Sequence, residues 1–236
     1  MGRFEFRQFA VDDRDCGMKI CSDSVLLGAW FFGPYSGARS IVDVGSGSGV
    51  LSLIGAQMCP EADVVALELD PAAAAASEAN FVASPFASRM SVLEGDFALW
   101  RPDSPVSLVI SNPPYFTTGE RSADTARAGA RHQIGLGYSS LMAVCSGWLA
   151  PDGHLGLVSP AEFESEIIFE AEMAGLKLRR MLRVRTSQRK PVTRLLWDFS
   201  MSDGPLVSSS LDLRGHDGCP TDEYASLVEF LYLKLK

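Results

Sequence analysis

The chain has 236 residues, 47% of them hydrophobic and 21% charged, a balance that excludes disorder as the main state and supplies ample material for a buried core. Its formal net charge of −8 excludes a uniformly basic nucleic-acid binder, though not a local basic patch. No apolar run nears the roughly 18 residues of a membrane span, the start has no signal-peptide layout, and the five cysteines and three histidines show neither a disulfide framework nor a metal-ligand spacing. The expectation is a cytoplasmic protein without metal.

In chain order, Ser22-Asp23 opens an apolar stretch that predicts a helix over 24–30. An apolar strand over 40–44 runs into the glycine cluster Gly45-Ser46-Gly47-Ser48-Gly49, and a helix follows over 50–59. A second strand covers 63–69. Asp70-Pro71 reads as an N-cap and first helical position for an alanine-rich helix over 72–83. Strands at 91–94 and 106–111, a helix at 138–149, a turn at Pro151-Asp152-Gly153, a strand at 155–159 and a helix at 161–174 stopped by Gly175 continue the rhythm. Strand and helix in alternation predict a mostly parallel sheet with helices on both faces. Two successive strands, 176–185 and 192–201, break the pattern, so the expected sheet has seven strands and ends in an antiparallel hairpin. A helix over 222–233 closes the chain. With no repeat or linker, the reading is one α/β domain, in which residues 1–39 cover a core of 40–236.

Three strand ends carry ligand-binding chemistry. The cluster after Asp43 has the spacing GxGxG, not the GxGxxG of dinucleotide sites, and its glycines let backbone approach a ligand closely. By itself it is an ordinary βα turn. The second strand ends in Glu68-Leu69, where a carboxylate can accept two ribose hydroxyls. The third ends in Asp96-Phe97, suited to an adenine amine and its ring. Each carboxylate alone reads as a solvated loop end; together they point to a nucleoside ligand. The fourth strand ends in Asn112-Pro113-Pro114-Tyr115. Its prolines stiffen the backbone and leave carbonyls free, Asn112 adds an amide oxygen, and Tyr115 a flat face for a planar substrate.

These residues, Asp43-x-Gly45-x-Gly47, Glu68 and Asn112-Pro113-Pro114-Tyr115, resemble the class I S-adenosylmethionine-dependent methyltransferases that act on exocyclic or amide nitrogens. The resemblance implies a Rossmann-like fold, S-adenosylmethionine as cofactor and catalysis by Asn112, Pro113, Pro114 and Tyr115. The ends narrow it. Phe4-x-Phe6-x-Gln8-Phe9, Met18-Lys19, Ser22-Asp23 and Leu26-Leu27-Gly28-Ala29-Trp30, then Phe116, Gly119, Ala130-Arg131 and Asp222-Glu223-Tyr224, resemble the bacterial family that methylates adenine N6 in a valine tRNA beside the anticodon. Phe230-Leu231-Tyr232 departs slightly from that family's ending. The implied partner is a tRNA anticodon stem-loop, with no DNA and no membrane; a monomer is expected, since no coiled coil or unassigned apolar helix demands a partner. Lys19 or the Ser22 hydroxyl is then expected to meet the cofactor's carboxylate.

Charge is segregated. Lys177, Arg179, Arg180, Arg183, Arg185, Arg189, Lys190 and Arg194 fall within 18 positions with no acid between them. The expectation is a basic hairpin for phosphate contacts, with Arg183, Arg185, Arg189 and Lys190 on RNA, extended by Arg131, while Tyr115 and Phe116 face the target base. A solvated basic strand face is the plain alternative. Segment 116–137 is long for a loop and is expected to be mobile until it orders over the base. Ribosomal RNA and a protein glutamine amide are the competing substrates. The glutamine enzymes carry a helical substrate domain ahead of a similar core, and a protein partner does not account for the basic run.

Overall fold

The computed structural model describes residues 2–14, 16, 19–114 and 137–233. Its elements are β1 (Arg3–Glu5), β2 (Ala10–Asp12), α1 (Ser22–Phe32), β3 (Ser40–Val44), α2 (Val50–Met58), β4 (Asp63–Glu68), α3 (Pro71–Val82), β5 (Met90–Glu94), β6 (Val106–Ser111), α4 (Tyr138–Ser146), β7 (Leu149–Pro160), α5 (Glu164–Met173), β8 (Lys177–Ser187), β9 (Val192–Ser200), β10 (Val207–Arg214) and α6 (Asp222–Val228). The central sheet runs β10-β8-β9-β7-β6-β3-β4-β5, with β9 antiparallel to both neighbours and every other pairing parallel. Strand order reverses at β3, which lies between β4 and β6. Open α/β sheets bind ligands outside the carboxyl ends at such a switch point.

The strands alternate between two cores. Ile41, Leu108, Ile110 and Leu196 pack with α1, α2 and α6, while Val42, Val44, Val109, Leu195, Trp197 and Phe199 pack with α4 and α5. This period of two is what a sheet covered on both faces requires. Helix α1 is apolar almost all round, and its Phe31 and Phe32 are fully buried, each stabilising the fold by roughly 2–3 kcal/mol. It approaches α2 at Gly28, where a Cβ would sit 2.8 Å from Ile54. On β9, Asp198 is a fully buried carboxylate. It accepts from Tyr35 (2.6 Å) and Arg180 (2.5 Å) and lies 2.6 Å from His154 Nδ1, the partners a buried charge needs.

Four details depart from the sequence reading. The sheet has eight strands rather than seven: β10 adds parallel to β8, so the antiparallel hairpin lies inside the sheet. The serine-rich β10 buries only Leu211 among its first five residues, and its pairing comes from the neighbouring strand, not from an apolar pattern. Pro151-Asp152-Gly153 is no free turn but an irregularity inside β7. Between two successive pairings β6 advances from Val106 to Leu108 while β7 advances from Leu149 to His154. The closing helix stops at Val228, short of the expected 233. A small antiparallel pair, β1 with β2, was not foreseen. Phe6 and Phe9, in the connection between them, stack, and Phe6 also stacks on Tyr232, so the two ends of the chain pack together.

Candidate active site

The glycine cluster occupies the bend between β3 and α2. Gly45, Gly47 and Gly49 have φ of 71°, 56° and 77°, in the left-handed region that disfavours side chains. At Gly49 space is also closed, since a Cβ would stand 2.4 Å from Phe81. The bend is fastened from three sides. The amides of Gly45 and Ser46 donate to the Leu67 carbonyl of β4. From α3, Ser77 donates to the Gly47 carbonyl (2.8 Å) and Asn80 to that of Ser48 (2.9 Å). Asn80 also exchanges two hydrogen bonds with the Asp12 backbone, which ties β2 to the bend.

Glu68 ends β4 beside this loop. Its Oε2 accepts from the Gly47 amide (2.8 Å) and its Oε1 from the Asp70 amide (2.9 Å). Each carboxylate oxygen has two lone pairs, so Glu68 is fixed in place with acceptor capacity left for hydroxyls. Asp70 caps α3 as the sequence predicts, accepting from Ala72 N at 3.1 Å. Asp43, fully buried on β3, accepts from the Ser52 amide and hydroxyl on Oδ2. Among the described residues its Oδ1 has no partner. Burial pushes its carboxyl up to about 7 against the pull of Ser52. An orphaned carboxylate oxygen under a glycine bend suits a ligand with a positively charged end.

Asn112 follows β6, the strand on the other side of β3. Ser111 fastens the two strand ends by donating to the Val44 carbonyl (2.8 Å). Asn112 is buried, and its Nδ2 donates to Ser24 Oγ of α1 (2.8 Å) and lies 3.5 Å from Cys21 Sγ. Ser24, Gly45, Gly47, Glu68, Asn112 and Pro114 line one cleft of about 450 Å³, within the range of small-molecule sites. Lys19 lines it too, with its ammonium held by the Asp13 and Arg14 carbonyls (2.6 and 3.0 Å). Among the described residues no group of His, Cys, Asp and Glu gathers as a metal site.

The predicted residues therefore divide. Lys19, Gly45, Gly47, Glu68, Asn112 and Pro114 meet at the cleft, with Asp43 beneath and the buried Pro113 between Asn112 and Pro114. Ser22 is exposed and does not line it. The helical turn presents Ser24 instead, two positions on, and the signal was a serine on the apolar face that also carries Leu27 and Gly28. Leu69 is 42% exposed at the strand end. Asp96 accepts from the Ala98 amide (2.9 Å). Phe97, expected to pack on a ligand ring, is a core residue with its ring edge-on to Trp148, since the chain after β5 turns it inward. Ser77 and Asn80 were missed because a buried polar side chain that holds a loop leaves no spacing pattern. Tyr115, Phe116, Arg131 and the segment expected to act as a lid lie outside the described residues.

The basic hairpin also differs from its sequence. Arg183 grips Glu164 through two bonds (2.6 and 3.0 Å) and Arg185 grips Asp212 likewise (2.7 and 3.1 Å). Arg180 reaches Asp198, and Arg194 reaches Asp23 (2.7 Å). The hydrogen bonds from Arg183 hold the Glu164 carboxyl below its ordinary value. Acids remote in sequence thus neutralise four of the eight charges. Arg189 and Lys190 are exposed in the β8–β9 loop and form no ion pair among the described residues. Because β8 runs parallel to β6 through β9 and β7, that loop stands at the cleft end of the sheet. Three strand spacings, roughly 14 Å, separate it from β6.

Residues 34–178 match the methyltransferase small domain family. The tRNA1(Val) (adenine(37)-N6)-methyltransferase of Shewanella amazonensis is 38% identical over 98% of this chain and 99% of its own. That of Aeromonas hydrophila is 37% identical over the full length of both. Among solved structures, a predicted O-methyltransferase from Agrobacterium tumefaciens superposes with a TM-score of 0.69 at 20% identity, over 91% of this chain and 99% of the other. That likeness fixes the fold, the Rossmann-like fold of class I methyltransferases.

Proposed function

Because the chain belongs to the methyltransferase small domain family, and within it to the tRNA1(Val) (adenine(37)-N6)-methyltransferases, we propose that it methylates N6 of an adenine in tRNA, beside the anticodon of a valine tRNA. The cofactor is S-adenosylmethionine, and the cleft fits it. Glu68 stands ready for its ribose hydroxyls, the glycine bend for its backbone-close passage and Lys19 for its carboxylate, while Asp43, buried beneath the bend, adds negative charge under its ammonium end. When bound, it supplies an electrophilic sulfonium methyl group.

The rest is done by the chain. An exocyclic adenine nitrogen is a poor nucleophile because its lone pair is delocalised into the ring. Two acceptors at the end of β6, Asn112 Oδ1 and the Pro113 carbonyl, each accept a hydrogen bond from one of its N–H groups and turn the lone pair out of the ring plane. Both acceptors stabilise the positive charge that develops on nitrogen. Pro113 and Pro114 keep the carbonyl rigid. In-line alignment supplies the larger part of the acceleration. The methylated nitrogen loses its proton to water, so no strong base is needed. Tyr115 and Phe116 give the base an aromatic face in this reading, and Arg131 extends the phosphate track.

RNA contact begins at Arg189 and Lys190, at the cleft end of the sheet. Arg183 and Arg185, held by Glu164 and Asp212, shape the hairpin that presents them. A single copy of the chain supplies the glycine bend, Glu68 and Asn112, and in this reading the chain acts as a monomer. A looped, single-stranded adenine is splayed out at little cost.

One observation carries the reading: Asn112 faces the same cleft as Glu68 and the glycine bend. The test is to incubate the protein with labelled S-adenosylmethionine and tRNA from a strain lacking this gene, then digest and identify the nucleoside. Labelled N6-methyladenosine, absent with Asn112→Ala, is the expected result. An unlabelled tRNA pool overturns the reading and moves the substrate to ribosomal RNA or a glutamine amide.

A further inference from the structure

We infer that Ser24 is a positioning residue for methyl transfer: its hydroxyl, delivered by α1, fixes the rotation of the Asn112 amide and so aims Oδ1 at the target nitrogen. The inference rests on the reading that Asn112 accepts from that nitrogen. An asparagine amide is useful there only one way round, because the opposite rotation would present donors to a donor. Its two ends are nearly the same size, so shape alone does not choose between them; hydrogen bonds must.

The structure supplies two contacts at Nδ2. Ser24 Oγ lies 2.8 Å from Asn112 Nδ2 and Cys21 Sγ lies 3.5 Å from it, so two groups able to accept, from one helical turn, face the amide nitrogen. Ser24 is itself buried and lines the cleft. Cys21 Sγ and Ser24 Oγ are 3.6 Å apart, which makes the pair a single unit. The turn is anchored from two directions. Arg194 of β9 holds Asp23 through a 2.7 Å bond, and Gly28, one turn further on, seats α1 closely against Ile54 of α2. The serine hydroxyl is thus carried by a rigid element, which is what sub-ångström aiming of an acceptor requires. A buried hydroxyl on a helix face otherwise occupied by Val25, Leu27 and Gly28 costs free energy on burial unless it is bonded. Asn112 is the partner it finds.

The experiment compares Ser24→Ala and Ser24→Thr with the parent in single-turnover methyl transfer to tRNA, alongside cofactor Kd and thermal midpoint. Ser24→Ala is expected to slow transfer about 10- to 100-fold, with cofactor Kd and tRNA KM each within about 2-fold and the midpoint little changed. Ser24→Thr, which keeps the hydroxyl, is expected to restore the rate to within about 3-fold. Should either variant fail to fold, Ser24→Cys keeps the shape with a weaker acceptor, and an intermediate rate is expected. A second readout needs no RNA. The Asn112 side-chain amide hydrogens, observed by nitrogen-15 NMR, should exchange with water faster in Ser24→Ala than in the parent. An unchanged rate, or a rate loss matched by an equal loss of cofactor affinity, overturns the inference. Failure of the parent itself to methylate tRNA would sink the adenine reading, and the amide exchange then decides on Ser24 separately.

Discussion

At the carboxyl ends of β3, β4 and β6 the sequence places few polar groups, and they are kept available. Glu68 uses part of its hydrogen-bonding capacity on neighbouring chain and lines the cleft together with Asn112, while among the described residues Asp43 Oδ1 has no partner. The β8–β9 hairpin is the reverse. Eight basic residues crowd positions 177–194, yet Arg180, Arg183, Arg185 and Arg194 are matched by acids from other elements. A functional group is one whose capacity is left over after folding. Charge density along a sequence is therefore a poor measure of surface potential, whereas a lone polar residue at a strand end is a good measure of a site.

The sharpest test of this contrast is Asn112→Ala. In the proposed mechanism it removes an acceptor that strengthens as the reaction proceeds, so transfer should fall about 10²- to 10³-fold. Cofactor Kd, followed by calorimetry, should stay within about 3-fold. Equal losses in rate and binding would make Asn112 a cofactor ligand and nothing more.

Asp43 comes next, because the burial of its carboxyl gives stability a pH dependence. Its carboxyl ionises near 3.8 when unfolded and near about 7 when folded. Between those values the folded chain holds a proton that the unfolded chain has released, so stability falls as pH rises through that window. The total is roughly 4 kcal/mol. Asp43→Asn should therefore be more stable than the parent above pH ~7 and lose that advantage towards pH ~4, in urea titrations of the cofactor-free protein. A parallel pH profile for both would remove Asp43 as the cause. Cofactor affinity in the parent should weaken as pH drops below about 7, when the carboxylate is protonated.

The hairpin half of the comparison is broken or kept by charge reversal. Arg189→Glu with Lys190→Glu should weaken tRNA binding about 10- to 100-fold at low salt and shrink the slope of log K against log salt by about 1.5 to 2. Arg185→Ala should leave that slope nearly unchanged. Its cost is to stability, about 0.5–1 kcal/mol for a partly exposed pair, read by denaturant melting. If instead Arg185→Ala flattens the salt dependence as much as the loop variant, the ion pair opens on RNA and the matched arginines belong to the interface.

Most of the fold was legible because its signals are local. Asp70-Pro71 starts α3 and Gly175 stops α5, since caps and stops act within one turn. The glycine cluster and Asn112-Pro113-Pro114 were legible for the same reason: each is a contiguous run whose backbone demands are its own. What escaped was non-local. Strand β10 exists by pairing with β8, the irregularity in β7 by its register with β6, and the inward turn of Phe97 by the presence of Trp148. Ser24 escaped because its meaning depends on Asn112, 88 positions away.

By itself, then, the sequence determined the alternation that builds a doubly covered sheet, the glycine bend, and the chemistry at the end of β6, all of them carried by short-range sterics and hydrogen-bonding types. Only the tertiary structure decided which polar groups remain available. Whether Arg183 is an RNA contact or a partner for Glu164, and whether Ser22 or Ser24 serves the cleft, turns on which side chains folding brings within about 3 Å. Hydrogen bonding and ion pairing fall off over that distance, and chain order does not set it.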